Sequence, residues 1–258
     1  ESHAFTCGID LHGRTLYVCV LDGGGQVVLH RNLPCKPEAV LEALAPFRGN
    51  LVVGCECIFC WYWLADLCED EGIAFALGMR LIHGTKTKSD KLDSEKIARL
   101  LHSGHFPLSY TYPRAPRTAR DLLRRRLFFV RRRSELLSHL QISQSQYNLE
   151  RSPARLDRTG NRAGLAERFP SGSARLSIAA DCAQLDALDA LIDALERDLV
   201  RTVKVDDLAS FYRLRTIPGI GETLALTIHY EVPDFDRFDT VQEFASYARL
   251  VAPRGESS

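Results

Sequence analysis

Thr6-Cys7-Gly8-Ile9-Asp10, Thr15-Leu16-Tyr17-Val18-Cys19-Val20 and the run 26–31, which follows the turn Asp22-Gly23-Gly24-Gly25, decide the reading of the first third of the chain. Each run is short, rich in β-branched and aromatic residues, and bounded by turn formers, so the three read as an antiparallel meander. The glycine triplet is a hairpin turn and not a phosphate loop, because no helix follows it directly. Downstream the pattern alternates. Residues 37–47 read as helix, Leu51-Val52-Val53-Gly54-Cys55-Glu56 as a buried strand, 61–71 as helix, 73–77 as strand, and 89–102 as a closing helix.

Three hairpin strands followed by βαβ alternation match the ribonuclease-H-like fold, so residues 1–112 are expected to form an α/β domain of that type. Pro113 and Pro116 mark its end. From 118 to 147 the sequence has almost no helix breaker, and a helix of that length spans roughly 45 Å, too long to be buried in a small domain. Leu123, Leu127, Val130 and Leu137 share one stripe, and Arg117, Arg120, Arg124 and Arg131 a neighbouring one. After a loop rich in Arg, Gly, Ser and Pro that runs to Ser173, the residues Ile178, Leu185, Leu188, Ile192, Leu195 and Leu199 recur at steps of three, four or seven, as in a coiled-coil seam. Residues 113–205 are thus expected to be a helical coiled-coil region whose helices pair or dimerise. In 206–258 the turn Ile217-Pro218-Gly219-Ile220-Gly221 between helical patterns reads as a helix-hairpin-helix, in which Gly219 and Gly221 let backbone N–H groups approach a phosphate. Phe238, Phe244, Tyr247, Leu250 and Val251 are apolar with few partners nearby in sequence, which suggests that this last domain is truncated at Ser258.

The 258 residues are 45% hydrophobic and 26% charged, which excludes disorder and collagen-like structure. Apolar stretches such as 58–67 are interrupted well before the ~20 residues of a membrane-spanning helix. The N-terminal residues Glu1-Ser2-His3-Ala4 have no signal-peptide pattern, so the eight cysteines are expected to be reduced thiols of a cytoplasmic protein. Net charge is zero, yet strongly segregated. Residues 114–133 hold nine arginines (114, 117, 120, 124, 125, 126, 131, 132 and 133) against the single acid Asp121, a local charge of +8, whereas 174–199 carries −4. Such asymmetry suggests that one segment contacts nucleic acid. The bland alternative is a solvated helix face. Like charges one turn apart destabilise a lone helix, and a polyanion resolves that conflict. Arginine also favours bidentate phosphate contact and base stacking, so Arg117, Arg120, Arg124, Arg125, Arg126, Arg131, Arg132 and Arg133 are candidate nucleic-acid contacts.

Four acids stand out. Asp10 ends the first strand and Glu56 the fourth, strands that lie side by side in a ribonuclease-H-like sheet, while Asp90 and Asp93 share one side of a helix start. Converging carboxylates repel one another unless a divalent cation neutralises them, and paired ions are the standard device of phosphodiester chemistry. Equally, Asp90 is read as a helix cap and Asp10 as a turn residue. Lys86, Lys88 and Lys91 flank the aspartates and either hold a phosphate backbone or belong to a solvated loop. Cys55, Cys57 and Cys60 lack a second cysteine pair and read as thiols rather than a zinc site. His83 and His102 lack a paired ligand pattern as well.

Gly8-Ile9-Asp10, Cys55-Glu56, Lys88-Ser89-Asp90-Lys91-Leu92-Asp93-Ser94, Arg120-Asp121-Leu122-Leu123-Arg124-Arg125-Arg126, Ser145-Gln146-Tyr147-Asn148-Leu149, Ile217-Pro218-Gly219-Ile220-Gly221 and Tyr247-Ala248-Arg249-Leu250-Val251 occur in this order. Together they resemble the DEDD insertion-sequence transposases with a catalytic serine, the bridge-RNA-guided recombinases. The resemblance implies a RuvC-like domain with Asp10, Glu56, Asp90 and Asp93 as a tetrad holding Mg²⁺ (or Mn²⁺), a helical coiled-coil middle, and a C-terminal transposase domain. It places the serine nucleophile after Arg249-Leu250-Val251, at Ser257 with Ser258 as the alternate. It further implies donor and target DNA, a structured guide RNA, a homodimer or homotetramer, and a bacterial or archaeal, nucleoid-associated location. A Holliday-junction-resolving nuclease of the same fold that activates water, or a non-catalytic RNA- or DNA-binding protein, are the alternatives.

Overall fold

The computed structural model describes residues 3–79, 89–152 and 155–250. The chain divides into two compact units, Glu1–Tyr112 and Pro113–Ser258. The first is a mixed α/β unit, the second largely helical.

In the α/β unit, β1 (Phe5–Leu11), β2 (Thr15–Asp22) and β3 (Val27–Pro34) form the antiparallel meander. The β2–β3 turn is fixed by Asp22, whose Oδ1 accepts from the Gly24 and Gln26 amides, both at 2.9 Å, while Gly25 takes the left-handed conformation at φ +77. The chain then forms α1 (Pro37–Leu44) and crosses to β4 (Leu51–Glu56), which pairs parallel with β1. After α2 (Tyr62–Asp70), β5 (Ala74–Gly78) pairs parallel with β4 and completes a five-stranded sheet of order β3-β2-β1-β4-β5.

Alternation along β1 sorts its residues between the two faces. Cys7, Ile9 and Leu11 pack into a core with Val40 and Leu44 of α1 and Leu64 and Cys68 of α2. Thr6, Gly8 and Asp10 take the opposite face, which is covered by α3 (Asp90–His102). A Cβ at Gly8 would stand 2.2 Å from the Ser94 carbonyl oxygen and 2.3 Å from the Ala98 amide nitrogen, so only glycine lets this helix lie against the strand. Ala98 also packs on Cys19 and Leu21 of β2. Because α3 runs opposite to β1, His102 reaches Thr6 at the start of the strand and Asp90 comes to its far end.

The helical unit begins with α4 (Arg114–Gln146). Pro116 lies inside its first turn, where no intrahelical partner for an N–H is lost, so the helix starts before the proline rather than after it. The second long helix, α5 (Gly172–Asp206), is capped by Ser171, whose Oγ accepts from the Ala174 amide. The ion pairs Arg126–Glu196 and Arg133–Asp189 and the His139–Asp181 hydrogen bond run up one helix and down the other, so α4 and α5 are antiparallel. Ile178, Leu185, Ile192 and Leu199, spaced by sevens, are the buried seam of α5. The connection between these helices is packed rather than open. Leu156, Leu165 and Phe169 are buried against Leu140, Ile178 and Leu185, and the Arg162 guanidinium is buried on Asp186 and Asp189.

The short helices α6 (Leu208–Arg215) and α7 (Glu222–Glu231) form a hairpin whose Gly219 sits at φ +88, and α8 (Val241–Tyr247) follows. Phe211, Ala225, Leu226 and Tyr230 pack on Ala119 and Leu123 of α4 and on Leu199 and Val203 of α5. Burying each large apolar side chain there contributes ~1.5–3 kcal/mol, which ties the hairpin to the long helices. Among the described residues no helix is long and apolar enough to cross a membrane.

Candidate functional site

The close approach at Gly8 sets the geometry of the site. It brings the first turn of α3 over the C-terminal end of β1, where Asp10 and His12 project from the same face two residues apart. His12 Nε2 lies 3.2 Å from Asp10 Oδ2 and 3.4 Å from Asp90 Oδ1. One donor atom from each of the three residues falls within 4.8 Å of the others. The side chains are 18% exposed for Asp10, 40% for His12 and 54% for Asp90, so the cluster is open on one side and anchored on the other.

Burial pushes the Asp10 carboxyl up; the nearby His12 opposes this, and the charges of Asp90 and Asp93 add to it. A carboxylate held beside two others at a helix start is a site where a cation relieves repulsion. The donor set, carboxylate oxygens plus one imidazole nitrogen, fits a divalent ion such as Mg²⁺ or Mn²⁺.

Of the expected tetrad, the structure brings Asp10 and Asp90 together and sets Asp93 close enough to act on Asp10 electrostatically. Glu56 ends β4 one residue past Cys55, the register partner of Ile9, so it lies at the same end of the sheet as Asp10 but is not one of the three residues whose donors converge. Lys91 is exposed on α3, and its carbonyl accepts from the His30 ring at 2.9 Å. Lys86, Lys88, His83 and both serines, Ser257 and Ser258, lie outside the described residues. His12 is the residue that sequence reasoning overlooked. Its signal was the strand period itself, Asp10-Leu11-His12, which puts aspartate and histidine on one face.

Cys55 is buried and its thiol is pushed well up by burial, whereas Cys57 is exposed. Among the described residues no three thiols converge at metal-binding distance.

The arginines of α4 divide into two groups. Arg117 and Arg120 are only 4% and 9% exposed, so little of either is open to a polyanion in this fold. Arg120 Nε donates to Glu231 Oε2 at 2.9 Å and Arg124 Nε to Glu231 Oε1 at 2.7 Å. Burial raises the Glu231 carboxyl, but the Arg124 hydrogen bond and the two guanidinium charges outweigh it and hold it below the usual carboxylate range. Arg126 donates to Glu196 at 2.6 Å, and Arg133 pairs with Asp189, a carboxyl that burial raises and that Arg162 and Arg133 hold below its ordinary value. Glu196 and Asp189 of α5 and Glu231 of α7 thus supply counter-charge to Arg120, Arg124, Arg126 and Arg133. Arg125, Arg131 and Arg132 are exposed, as are Arg114 and the Glu231-bound Arg124. The Arg125 and Arg132 guanidiniums lie 5.5 and 5.2 Å from the centre of the Phe128 ring, and Arg132 also meets Glu135.

An α/β sheet with a carboxylate–imidazole cluster at the end of its central strand, followed by a helical unit, defines a class of protein suited to metal-dependent nucleic-acid chemistry. Residues 212–258, which begin within α6 and include the Gly219 turn, α7 and α8, match the Transposase IS116/IS110/IS902 family. No curated protein matches the chain. The transposase-family segment and the metal-suited cluster together support an enzymatic, metal-dependent activity on nucleic acid.

Proposed function

We propose that the protein is a metal-dependent enzyme that cleaves phosphodiester bonds of DNA during the movement of an insertion sequence. The observation that carries this reading is the convergence of Asp10, His12 and Asp90 in a chain whose C-terminal segment matches a transposase family. Asp10, Asp90 and Asp93, with Glu56 from the neighbouring strand, would hold Mg²⁺ or Mn²⁺. Such an ion polarises a phosphoryl oxygen and stabilises the charge that develops in displacement. Within the α/β unit β1 fixes Asp10 and the α3 start fixes Asp90; in the helical unit the exposed Arg125, Arg131 and Arg132 would grip backbone phosphates. The α6–α7 turn, with Gly219 and Gly221, supplies backbone N–H groups for a further phosphate.

Nicking of supercoiled DNA or of a four-way junction tests the general reading. Activity is expected with Mg²⁺ or Mn²⁺ and lost in Asp10→Asn. Unchanged cleavage in that variant would overturn it.

The finer reading, supported by the resemblance of the motifs, is strand exchange by a serine nucleophile under the direction of a structured guide RNA. In it, the Ser257 Oγ forms a bond to phosphorus, the bond to the deoxyribose oxygen breaks, and that oxygen leaves with the hydroxyl proton. Denaturing electrophoresis of labelled DNA separates this from water-activated cleavage. An adduct present in the wild type and absent in Ser257→Ala supports the serine, an adduct lost only in Ser258→Ala moves the role by one residue, and cleavage without any adduct assigns the attack to water.

A further inference from the structure

We infer that His12 is a nitrogen ligand of the Asp10–Asp90 centre and that it makes the centre select Mn²⁺ over Mg²⁺. The inference rests on the metal-dependent reading above and adds the donor that discriminates between the two ions.

The backbone places the imidazole first. His12 follows β1 directly, and its position is fixed on both sides of the residue: its amide donates to the Thr15 carbonyl at 3.0 Å, and its carbonyl accepts from the Cys35 thiol at 2.9 Å. Alternation then aims the imidazole at the face that carries Asp10, where the close approach at Gly8 has already placed the α3 start. The ring is therefore held at the cluster although it is partly open to solvent.

The distances favour ligation over a simple hydrogen bond. A charge-assisted N–H···O bond closes to about 2.7–2.9 Å and points at one acceptor. His12 Nε2 instead stands between two carboxylates, 3.2 Å from Asp10 Oδ2 and 3.4 Å from Asp90 Oδ1, somewhat long for either. Donors that each lie about 2.1 Å from one ion at right angles are separated by about 3 Å, so both spacings are close to the edges of a coordination octahedron. The three donor atoms all lie within 4.8 Å of one another, a span that a single ion can bridge.

Chemistry supplies the selectivity. Mg²⁺ prefers oxygen donors and keeps much of its water, whereas imidazole is a ligand of first-row transition ions. A centre made only of aspartates would discriminate little between Mg²⁺ and Mn²⁺. One imidazole among carboxylates moves the preference toward Mn²⁺ while leaving enough oxygen donors to suit that comparatively hard ion.

The test uses the whole chain and the metals alone. Mn²⁺ binding is followed by electron paramagnetic resonance, Mg²⁺ binding by competition, and the ligand atom by nitrogen-14 modulation of the Mn²⁺ echo. The wild type is expected to bind Mn²⁺ about tenfold or more tightly than Mg²⁺, with imidazole nitrogen coupling. His12→Gln is expected to lose the coupling and to lower that ratio about tenfold by weakening Mn²⁺ alone. If His12→Gln fails to fold, the nitrogen coupling of the wild type decides by itself. Binding that is lost in Asp10→Asn but shows no nitrogen coupling in the wild type overturns the role of His12 and spares the carboxylate centre. No binding of either ion, or Mn²⁺ binding unaffected in Asp10→Asn, overturns the centre and this inference with it.

Discussion

Gly8 of β1 and Ala98 of α3 stand so close that a Cβ on the glycine would be 2.3 Å from the alanine amide nitrogen. The three atoms that a new methyl would strike, the Ala98 amide nitrogen and Cα and the Ser94 carbonyl oxygen, are all backbone, so none can move without the helix. Gly8→Ala should therefore lift α3 from the sheet and cost about 3 kcal/mol or more, at the upper end of overpacking penalties. Trp61 and Trp63 are the only two tryptophans and both belong to the α/β unit, so their fluorescence in a urea titration reads this unit alone. A midpoint unchanged from wild type would show that the close approach is not a constraint. Metal affinity should fall with stability, because the same packing of helix on strand sets the place of Asp90.

Glu231 is the shared partner of Arg120 and Arg124, and Arg120 is the buried one of the pair. Glu231→Gln keeps the shape but removes the charge, and should destabilise the helical unit by about 2 kcal/mol, in the range for a weakened buried polar network. The effect depends on pH with a definite sign. The folded carboxyl titrates below its usual value, so its contribution is fully present above the ordinary carboxylate range near about 4.3 and is lost as pH falls through the folded value. Thermal melts followed by helical circular dichroism should show the wild type and Glu231→Gln converging on acidification. A gap that stays constant from neutral pH to about pH 3 would assign the effect to packing instead.

The arginines of α4 make a paired test. Arg125, Arg131 and Arg132 are exposed, so replacing all three by Gln should leave the melting temperature nearly unchanged and flatten the salt dependence of nucleic-acid binding by about 0.7–0.9 for each phosphate left without its cation. Arg126→Gln with Arg133→Gln should do the reverse, lowering stability because Glu196 loses the Arg126 ion pair and Asp189 keeps only Arg162 as its cation. If the exposed triple variant binds with an unchanged salt slope, Arg125, Arg131 and Arg132 have no part in nucleic-acid binding.

The strands and helices of the α/β unit were legible because local patterns decide them: β-branched runs between turns, and a helix at 89–102 that the structure sets at Asp90–His102. That β1 and β4 lie side by side was expected from the match of the element order to a ribonuclease-H-like sheet, and the structure pairs them in parallel. Three things were not legible. The arginine segment looked unneutralised because its counter-charges, Glu196, Asp189 and Glu231, lie 56 to 111 residues away and meet it only when α4, α5 and α7 pack. The region between the long helices looked like an open loop because its polar composition hides Leu156, Leu165 and Phe169, three apolar residues that local periodicity does not connect. His12 went unnoticed for a different reason: it joins the site through a strand of known period, but its partner Asp90 is fixed only by the helix that Gly8 admits.

Asp10 gives the last prediction. Its carboxylate is partly buried beside Asp90 and Asp93, an arrangement unfavourable in the absence of a cation. Asp10→Asn keeps the size of the side chain and leaves an amide oxygen that still accepts from His12 while removing one of three like charges. In buffer with a chelator this variant should therefore be more stable than wild type, by about 1 kcal/mol, as expected when a functional site is held in a strained electrostatic state. With Mn²⁺ or Mg²⁺ present the order should reverse, because an ion that binds only the folded wild type raises its midpoint in proportion to the logarithm of concentration, and the variant lacks the ligand. Differential scanning calorimetry of both proteins, with and without metal, reads the crossover. If Asp10→Asn is less stable than wild type under chelation and both shift equally with metal, Asp10 is a structural strand-end residue and the cation is bound elsewhere.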